Sequence, residues 1–240
     1  MDASVSNCPE SLVATDTLPR KRGRPPLDEA ASAQRREVIL DQAALVFARD
    51  GYQRTDVQVV ADALQVGKGT VYRYFPSKEA LFLAAVDRGM RRMKEFLQVR
   101  LDGVADPLDR LAVGVRTYLT FFQEHPHYVE LLIQERAEFR DRPQQTYFAH
   151  RDAEIGLWQQ MFEDLMAAGR VRRMPVGRIL DVLGDLTYGT MFTNYFAGHK
   201  KSPRDQAGDI LDVVFHGILT SAGRARHGRS RTGPGGRARA

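Results

Sequence analysis

Apolar residues recur at helical spacing along most of this chain. Ile39, Ala43, Val46 and Phe47 fall at i, i+4, i+7 and i+8, which places them on one face of a helix. Gly51 follows as a stop signal. Later segments repeat the pattern, with few β-branched clusters and no hairpin signals. The pattern therefore predicts an all-α protein.

Breaks rich in Gly and Pro divide the helical pattern into segments. We predict helices at 28–50, 56–64, 68–74, 77–101, 107–124, 127–139, 144–168, 175–197 and 204–222. Asp28, Thr55 and Ser77 are predicted N-caps of the first, second and fourth helices. Residues 1–27 lack an apolar period and are predicted to be a disordered leader, and the Arg/Gly-rich residues 223–240 a disordered tail.

The charge of the chain is unevenly distributed. The net charge is +5 and the pI about 9.5, but the basic residues concentrate in the N-terminal third and the tail, around a mildly acidic body. This asymmetry indicates a polyanion as partner for part of the chain.

A single cysteine, Cys8, leaves no internal disulfide, CxxC pair or Cys-rich zinc site, which favours a reducing cytoplasm. No segment is apolar for long enough to span a membrane, and the leader lacks the pattern of a secretory signal. We expect a soluble cytoplasmic protein without metal or cofactor.

The second and third predicted helices have the lengths and the tight connection of a helix-turn-helix, whose second helix enters a major groove about 12 Å wide. The N-terminal face of helix 68–74 carries Lys68, Gly69, Thr70 and Arg73. Tyr72, Tyr74 and Lys78 suit phosphate oxygens. The alternative is an ordinary helical corner with charged faces.

These residues also carry a family resemblance. The stretch Val66-Gly67-Lys68-Gly69-Thr70-Val71-Tyr72-Arg73-Tyr74-Phe75-Pro76-Ser77-Lys78-Glu79-Ala80-Leu81, with Thr55 and Ala61 before it, closely resembles the DNA-binding signature of the TetR (tetracycline-repressor) family of bacterial regulators. The stretch 39–52 is similar to that family's first helix and turn. The resemblance covers about residues 33–86. It implies a three-helix DNA-binding domain at 28–76 and a C-terminal ligand-binding and dimerisation bundle at 77–222.

The resemblance also implies roles for individual residues. Those facing base edges would be Lys68, Gly69, Thr70 and Arg73, and those gripping phosphates Thr55, Tyr72, Tyr74 and Lys78; the small core would be Val57, Val60, Ala61, Leu64, Val66, Val71 and Phe75. The turn departs from the family, which usually has Ala-Gly-Val-Ser where this chain has Leu64-Gln65-Val66-Gly67. Gly67 lacks a capping side chain, and Gln65 must accept a conformation that glycine usually takes.

A second DNA-binding element is predicted in the leader. Arg22-Gly23-Arg24-Pro25 resembles the core of an AT-hook, and an extended Arg-Gly-Arg fits a narrow minor groove. A solvated basic linker is the alternative. The Arg/Gly tail either attracts phosphates without sequence preference or only aids solubility.

The predicted body is rich in aromatic and Met side chains, which are usually plain core but also suit a pocket for an apolar or aromatic effector. The resemblance implies a small-molecule inducer, and we place its cavity among the helices at 84–101, 107–124, 144–168 and 175–197. The candidate lining is Phe96, Tyr118, Phe122, Trp158, Phe162, Tyr188, Met191 and Asn194. Thr187, Glu135 and Arg136 are further polar candidates, although the Glu/Arg pair equally suits a surface salt bridge.

The last two helices carry more apolar residues than one buried stripe requires, which favours a second buried surface. Gly177, Gly184 and Gly189 would allow close approach. We predict a two-fold four-helix dimer interface through Ile179, Leu183, Leu186, Val214 and Ile218.

Other chemistry finds little support in the sequence. Gly67-Lys68-Gly69-Thr70 is not a phosphate-binding loop, since position 62 is Asp, and His125-Pro126-His127 lacks further metal ligands. The sequence thus predicts a dimeric, ligand-responsive regulator of double-stranded DNA, most simply a repressor that leaves a palindromic operator when it binds an effector. An activator or a ligand-independent regulator is the alternative, and an all-α enzyme a remote one.

Overall fold

The computed structural model describes residues 29–198 and 201–217, and within them the chain is helical throughout, without a strand. The helices are α1 (Glu29–Asp50), α2 (Val57–Ala63), α3 (Lys68–Tyr74), α4 (Lys78–Leu101), α5 (Pro107–Glu124), α6 (Pro126–Glu138), α7 (Thr146–Ala167), α8 (Val176–Ala197) and α9 (Pro203–His216). The all-α prediction is confirmed. The Arg22-Gly23-Arg24 arm, the Arg/Gly tail and Ile218 lie outside the described residues.

Two predicted helix ends are corrected. Asp56, not Thr55, caps α2, since the Asp56 carboxylate accepts the backbone N–H of Gln58 at 2.7 Å. Helix α9 ends at His216, because Gly217 adopts a φ of 72° that an α-helix does not allow. The rest of the predicted helix, 218–222, lies outside the described residues. The predicted cap at Ser77 is confirmed by its hydrogen bond from the Ala80 N–H.

The hydrophobic core has two connected parts. The first fills the space between α1, α2 and α3 and continues along α4 to α5 and α6; the second lies between α5, α7, α8 and α9. In the N-terminal part, Val57, Val60, Ala61, Val71 and Phe75 are buried as predicted. Leu64 and Val66 are half-buried and pack against that core. The short helices α2 and α3 are therefore held by tertiary packing, since seven residues are too few for a stable isolated helix.

Helix α4 joins the N-terminal three helices to the rest of the molecule. Its first turns bury Leu81, Phe82 and Ala85 in the N-terminal core. Ion pairs fasten it to α1, with Arg88 Nε 2.7 Å from Glu37 Oε2. The second half of α4 packs against α5 and α7, where Phe96 contacts the Phe121 ring and Lys94 pairs with Glu154. A displacement of α4 would therefore move the N-terminal helices.

Gly89 of α4 packs directly against the Tyr128 ring of α6. A β-carbon built there would clash with three ring carbons of Tyr128, a side chain that is 1% exposed. We expect Gly89→Ala to lower the free energy of unfolding by about 1–3 kcal/mol, because overpacking outweighs the gain in helix propensity. Urea unfolding tests this, with Gly208→Ala on α9 as the control, since a β-carbon there meets nothing within 4 Å. Equal stability of the Gly89→Ala variant and the natural protein would contradict the expectation.

His125 and His127 lie where α5 passes into α6. Burial, then the charges of His125 and Arg92, lower the pKa of His127 from 6.5 to about 4. The folded state therefore favours neutral His127, while the unfolded state takes up a proton as the pH falls below 6.5. Within 29–198 and 201–217, no group of three or more His, Cys, Asp or Glu side chains is placed to hold a metal ion.

This histidine predicts a loss of stability in mild acid. Between about pH 7 and about pH 5 we expect the free energy of unfolding to drop by roughly 1–2 kcal/mol through His127 and through His125, whose pKa burial also lowers. The larger part of this drop should be absent in His127→Gln. Urea midpoints of both proteins at the two pH values provide the test. A pH dependence that is unchanged in His127→Gln would show that other groups cause it.

Candidate nucleic-acid interface and ligand cavity

Helices α2 and α3 form a helix-turn-helix. The turn is closed by backbone hydrogen bonds, with the Val66 N–H donating to Ala61 O at 3.0 Å. Gln65 has a φ of 54° and is the sole non-glycine residue with a positive φ in the described chain. The sequence prediction for Gln65 is thus confirmed, as is the lack of a side-chain cap at Gly67. This geometry fixes α3 across the end of α2.

One face of α3 is open to solvent. Val71 is the residue that α3 buries, while Gly69, Tyr72 and Arg73 are exposed. Lys68, the first residue of α3, is half-buried, and its ammonium lies 2.6 Å from the Asp56 carboxylate. A polar, partly cationic face on a short supported helix suits a major groove.

The predicted phosphate contacts divide into two groups. Tyr72 is 40% exposed, and Tyr74 is half-buried beside the Arg73 guanidinium. The position of Thr55 does not suit the predicted phosphate contact, because this residue is 3% exposed and its hydroxyl donates to Gly51 O. Lys78 Nζ donates to the carbonyls of Tyr52, Gln53 and Thr55 at 3.0, 3.1 and 3.3 Å. The Thr55 and Lys78 side chains therefore stabilise the loop before α2, and of the four phosphate candidates Tyr72 is the exposed one, with Tyr74 half-buried beside it.

A cavity of about 790 Å³ lies between α4, α5, α7 and α8, the helices among which the sequence places it. Its lining is mainly apolar: Met90, Met93, Leu97, Leu111, Gly114, Val115, Tyr118, Tyr147, Ile155, Trp158, Met161, Leu180 and Leu183. The volume falls within the range of small-molecule sites. Polar side chains of the lining include Lys94, Arg110, His150, Glu154 and Thr187.

Of the predicted lining residues, Tyr118 and Trp158 line the cavity, as does the polar candidate Thr187. The other six pack elsewhere: Phe96, Phe122, Phe162, Tyr188, Met191 and Asn194. Asn194, for example, is buried and exchanges hydrogen bonds with Gln206 of α9 at 2.9 and 2.7 Å. The sequence prediction did not include Tyr147 in the lining, although its position at the start of an aromatic-rich helix was a weak indication of such a role.

Several charged groups on the lining are bonded within the protein. Lys94 Nζ lies 2.5 Å from Glu154 Oε1, and this pair joins α4 to α7. His150 Nε2 lies 2.7 Å from Asp87 Oδ1, and this contact lowers the pKa of Asp87. Arg110 donates to the carbonyls of Leu101 and Val104. The cavity therefore presents mostly apolar surface, with two tyrosine hydroxyls 3.0 Å apart, those of Tyr118 and Tyr147.

Glu135 is fully buried and does not reach the cavity. Its Oε1 accepts the Thr146 N–H at 3.0 Å and the Thr146 hydroxyl at 2.7 Å, and it also accepts from Arg142 Nη1. Its ion-pair partner is thus Arg142, not Arg136, which is exposed. The Glu135 carboxylate thus binds Thr146, the first residue of α7. The N-cap residue of α7, Gln145, makes no capping hydrogen bond with its side chain.

The predicted dimer contacts are partly corrected. Ile179 and Leu183 are buried within the monomer, and Val214 packs against the same core. Leu186 is 39% exposed. The exposed apolar surface of α8 and α9 consists of Val182, Leu186, Phe196, Val213 and Phe215. Within the described residues no helix is both long and apolar enough to cross a membrane.

Comparison with known proteins identifies relatives of the chain. The family model described as "Bacterial regulatory proteins, tetR family" matches residues 39–85. The HTH-type transcriptional repressor KstR of Mycobacterium tuberculosis is 32% identical over 44% of this chain and 48% of its own length. The HTH-type transcriptional repressor KstR2 of Mycolicibacterium smegmatis is 28% identical over 80% of this chain and 94% of its own length. The chain spans about half the length of several curated relatives that it matches.

Solved structures share the fold beyond the matched N-terminal region. The transcriptional regulator FadR of Bacillus subtilis, solved in complex with stearoyl-CoA, superposes with a TM-score of 0.64 and 19% identity, over 76% of this chain and 98% of that chain. The similarity therefore extends from the helix-turn-helix through the helices that enclose the cavity.

Proposed function

Because this chain belongs to the TetR family of bacterial regulatory proteins, we propose that it is a dimeric repressor that an apolar or aromatic effector releases from a palindromic operator. The observation that carries the proposal is that one helix, α4, connects the two candidate sites. Its N-terminal half packs in the core of the helix-turn-helix domain, and its C-terminal half lines the 790 Å³ cavity. Residues 28–76 would be the DNA-binding domain and residues 77–222 the effector and dimer domain.

In this proposal α3 enters the major groove. Lys68, Gly69, Thr70 and Arg73 face base edges, with Lys68 exchanging its Asp56 partner for DNA. Tyr72 and Tyr74 contact phosphates from the flanks of the helix. This assignment is supported by the exposure of Gly69, Tyr72 and Arg73 on a helix that the core holds by Val71. A protein of this kind acts in the cytoplasm, at the nucleoid.

The dimer forms through the exposed apolar faces of α8 and α9. Val182 and Leu186 lie one helical turn apart on α8, and Val213 and Phe215 are exposed on α9. Several large apolar side chains exposed on the last two helices support a protein contact there. A two-fold dimer would place two copies of α3 about 34–36 Å apart, one turn of DNA, for a palindrome.

The effector acts by moving α4. A ligand in the cavity contacts Met90, Met93 and Leu97 of α4 and pushes the helix, together with the domain fastened to its start. A second connection runs through α6, where Gln134 Nε2 donates to Phe47 O at 2.9 Å and to Glu130, which accepts from Tyr195 of α8. A coupling of about 1–3 kcal/mol between the sites gives substantial release.

The test is selection of duplex DNA from a random pool by the full-length protein, followed by titration of the selected sequence at about 150 mM salt, where non-specific attraction is weak. We expect a palindrome of two half-sites and loss of at least tenfold in affinity in Arg73→Ala. Arg116→Ala, a change at an exposed position of α5, is the control. Enrichment of no sequence would show that the proposed function is wrong.

A further inference from the structure

The cavity contains a pair of tyrosine hydroxyls whose two protons the helix packing does not both satisfy well. Tyr118 of α5 and Tyr147 of α7 both line the cavity, and their hydroxyl oxygens lie 3.0 Å apart. Tyr147 is 8% exposed, so bulk water offers its hydroxyl little compensation. The surrounding lining is mainly apolar.

The two hydroxyls carry two protons but have one strong acceptor between them. Tyr118 donates to the Tyr147 oxygen or to the Met191 sulfur, which is 3.4 Å away. A thioether is a weak acceptor. With Tyr118 donating to Tyr147, the Tyr147 proton has no acceptor among the residues that the structure describes. The pair therefore either leaves the Tyr147 proton without an acceptor or commits the Tyr118 proton to a weak sulfur acceptor. In both arrangements a carbonyl oxygen in the cavity gives the Tyr147 proton a stronger acceptor.

The pair offers this proton to a neutral oxygen. Burial raises the pKa of Tyr147 to about 12 and that of Tyr118 well above its usual value. Both side chains thus stay protonated at neutral pH and act as donors. A buried carboxylate at this place would meet no positive charge on the pair, and the Arg151 guanidinium of the lining is already bonded to Asp152 Oδ1 at 3.0 Å. Desolvation of the carboxylate would therefore be costly. A ketone or ester oxygen carries no such cost.

The pair is also held rigidly. The Tyr147 ring packs on the Tyr188 ring with centroids 4.6 Å apart, and the preceding residue, Thr146, is bound by the Glu135 carboxylate. A donor fixed before the ligand arrives loses little entropy on binding.

We propose that Tyr147, oriented by Tyr118, donates a hydrogen bond to the carbonyl oxygen of an apolar ketone or ester, and that this contact selects the effector. The hydrocarbon body of that molecule lies against Met93, Leu97 and Trp158. The inference rests on the proposed function, since it specifies the chemical class of the effector.

Trp158 provides the readout, because it is the single tryptophan of the chain and lines the cavity. Its fluorescence is titrated in the full-length protein with two matched pairs of probes: androstanone against androstane, and methyl laurate against tetradecane. We expect at least one carbonyl probe to bind about five- to tenfold more tightly than its hydrocarbon, the effect of one buried hydrogen bond.

Tyr147→Phe should reduce that preference to less than about twofold and leave hydrocarbon affinity unchanged. Tyr188→Phe removes a neighbouring hydroxyl that does not line the cavity, and this variant should keep the carbonyl preference. Thermal unfolding verifies that the variants fold. If Tyr147→Phe does not fold, Tyr118→Phe is measured in its place. A preference that is absent from both pairs in the natural protein, failure of all four probes to bind, or a preference that survives Tyr147→Phe would overturn the proposal.

The DNA titration separates this inference from the proposed function. A protein that binds its selected palindrome but shows no carbonyl preference leaves the repressor proposal standing and refutes the role of Tyr147. A protein that shows the carbonyl preference but selects no DNA sequence refutes the repressor and keeps the binding site.

Discussion

Gly69→Leu is expected to abolish sequence-specific DNA binding while leaving the free protein as stable as before, or more so. Gly69 lies in the first turn of α3, is exposed, and a β-carbon built there meets nothing within 4 Å. Replacing a helical glycine removes unfolded-state entropy and gains up to about 1 kcal/mol. In the proposed complex the same position faces base edges, so an isobutyl group would hold the helix out of the groove. We expect at least a hundredfold loss of specific affinity, about 2.7 kcal/mol.

The measurement pairs urea unfolding with titration of the selected duplex. Gly156→Leu is the matched control, since Gly156 is an exposed helical glycine of α7 whose β-carbon would likewise meet nothing within 4 Å. It should gain similar stability and keep full DNA affinity. Retention of specific binding within about threefold by Gly69→Leu would mean that this face of α3 does not approach the bases.

The helix-turn-helix was predictable because its determinants are local. The apolar spacing of α1, the cap at Ser77 and the departures at Gln65 and Gly67 act within one or two turns, and the structure reproduces each of them. The one local error, Thr55 for Asp56, exchanged two neighbouring residues that can both cap a helix. Sequence alone could not show that the Thr55 hydroxyl bonds back to Gly51.

The cavity was placed between the correct helices, but most of its side chains were not predictable. Helix α8 is apolar on more than one face, so its sequence does not show that Ile179 and Leu183 point into the monomer while Val182 and Leu186 point out. Asn194 has the polarity of a ligand anchor, yet α9 supplies Gln206 as its partner. Such choices depend on which helices meet, which is a property of the tertiary structure.

The connection between α6 and α7 shows the same dependence on tertiary structure. Glu135 and Arg136 are adjacent in sequence, but adjacent residues of a helix point in different directions. Arg142, beyond the end of α6, returns to the Glu135 carboxylate because the chain turns there into α7. A buried carboxylate thereby replaces the missing side-chain cap of α7, and its negative charge lies at the positive end of that helix.

We therefore expect Glu135→Ala to lower the free energy of unfolding by about 2–4 kcal/mol, because it leaves the Thr146 N–H, the Thr146 hydroxyl and the Arg142 guanidinium without their acceptor. The lower part of this range allows for the partial exposure of Arg142. Glu135→Gln keeps an oxygen for Thr146 and should lose less. Urea unfolding measures both.

Glu138→Ala is the matched control, three residues further along α6, where the carboxylate is exposed and bonds to Gln53 at the surface. It should change stability by less than about 0.5 kcal/mol. If Glu135→Ala and Glu138→Ala lower the free energy of unfolding equally, the buried carboxylate does not hold α7.

If Glu135→Ala folds, the loosened start of α7 should also weaken the carbonyl preference measured through Trp158, since Tyr147 follows Thr146 directly. A stability loss with the preference intact would show that the Tyr188 ring alone is enough to position Tyr147.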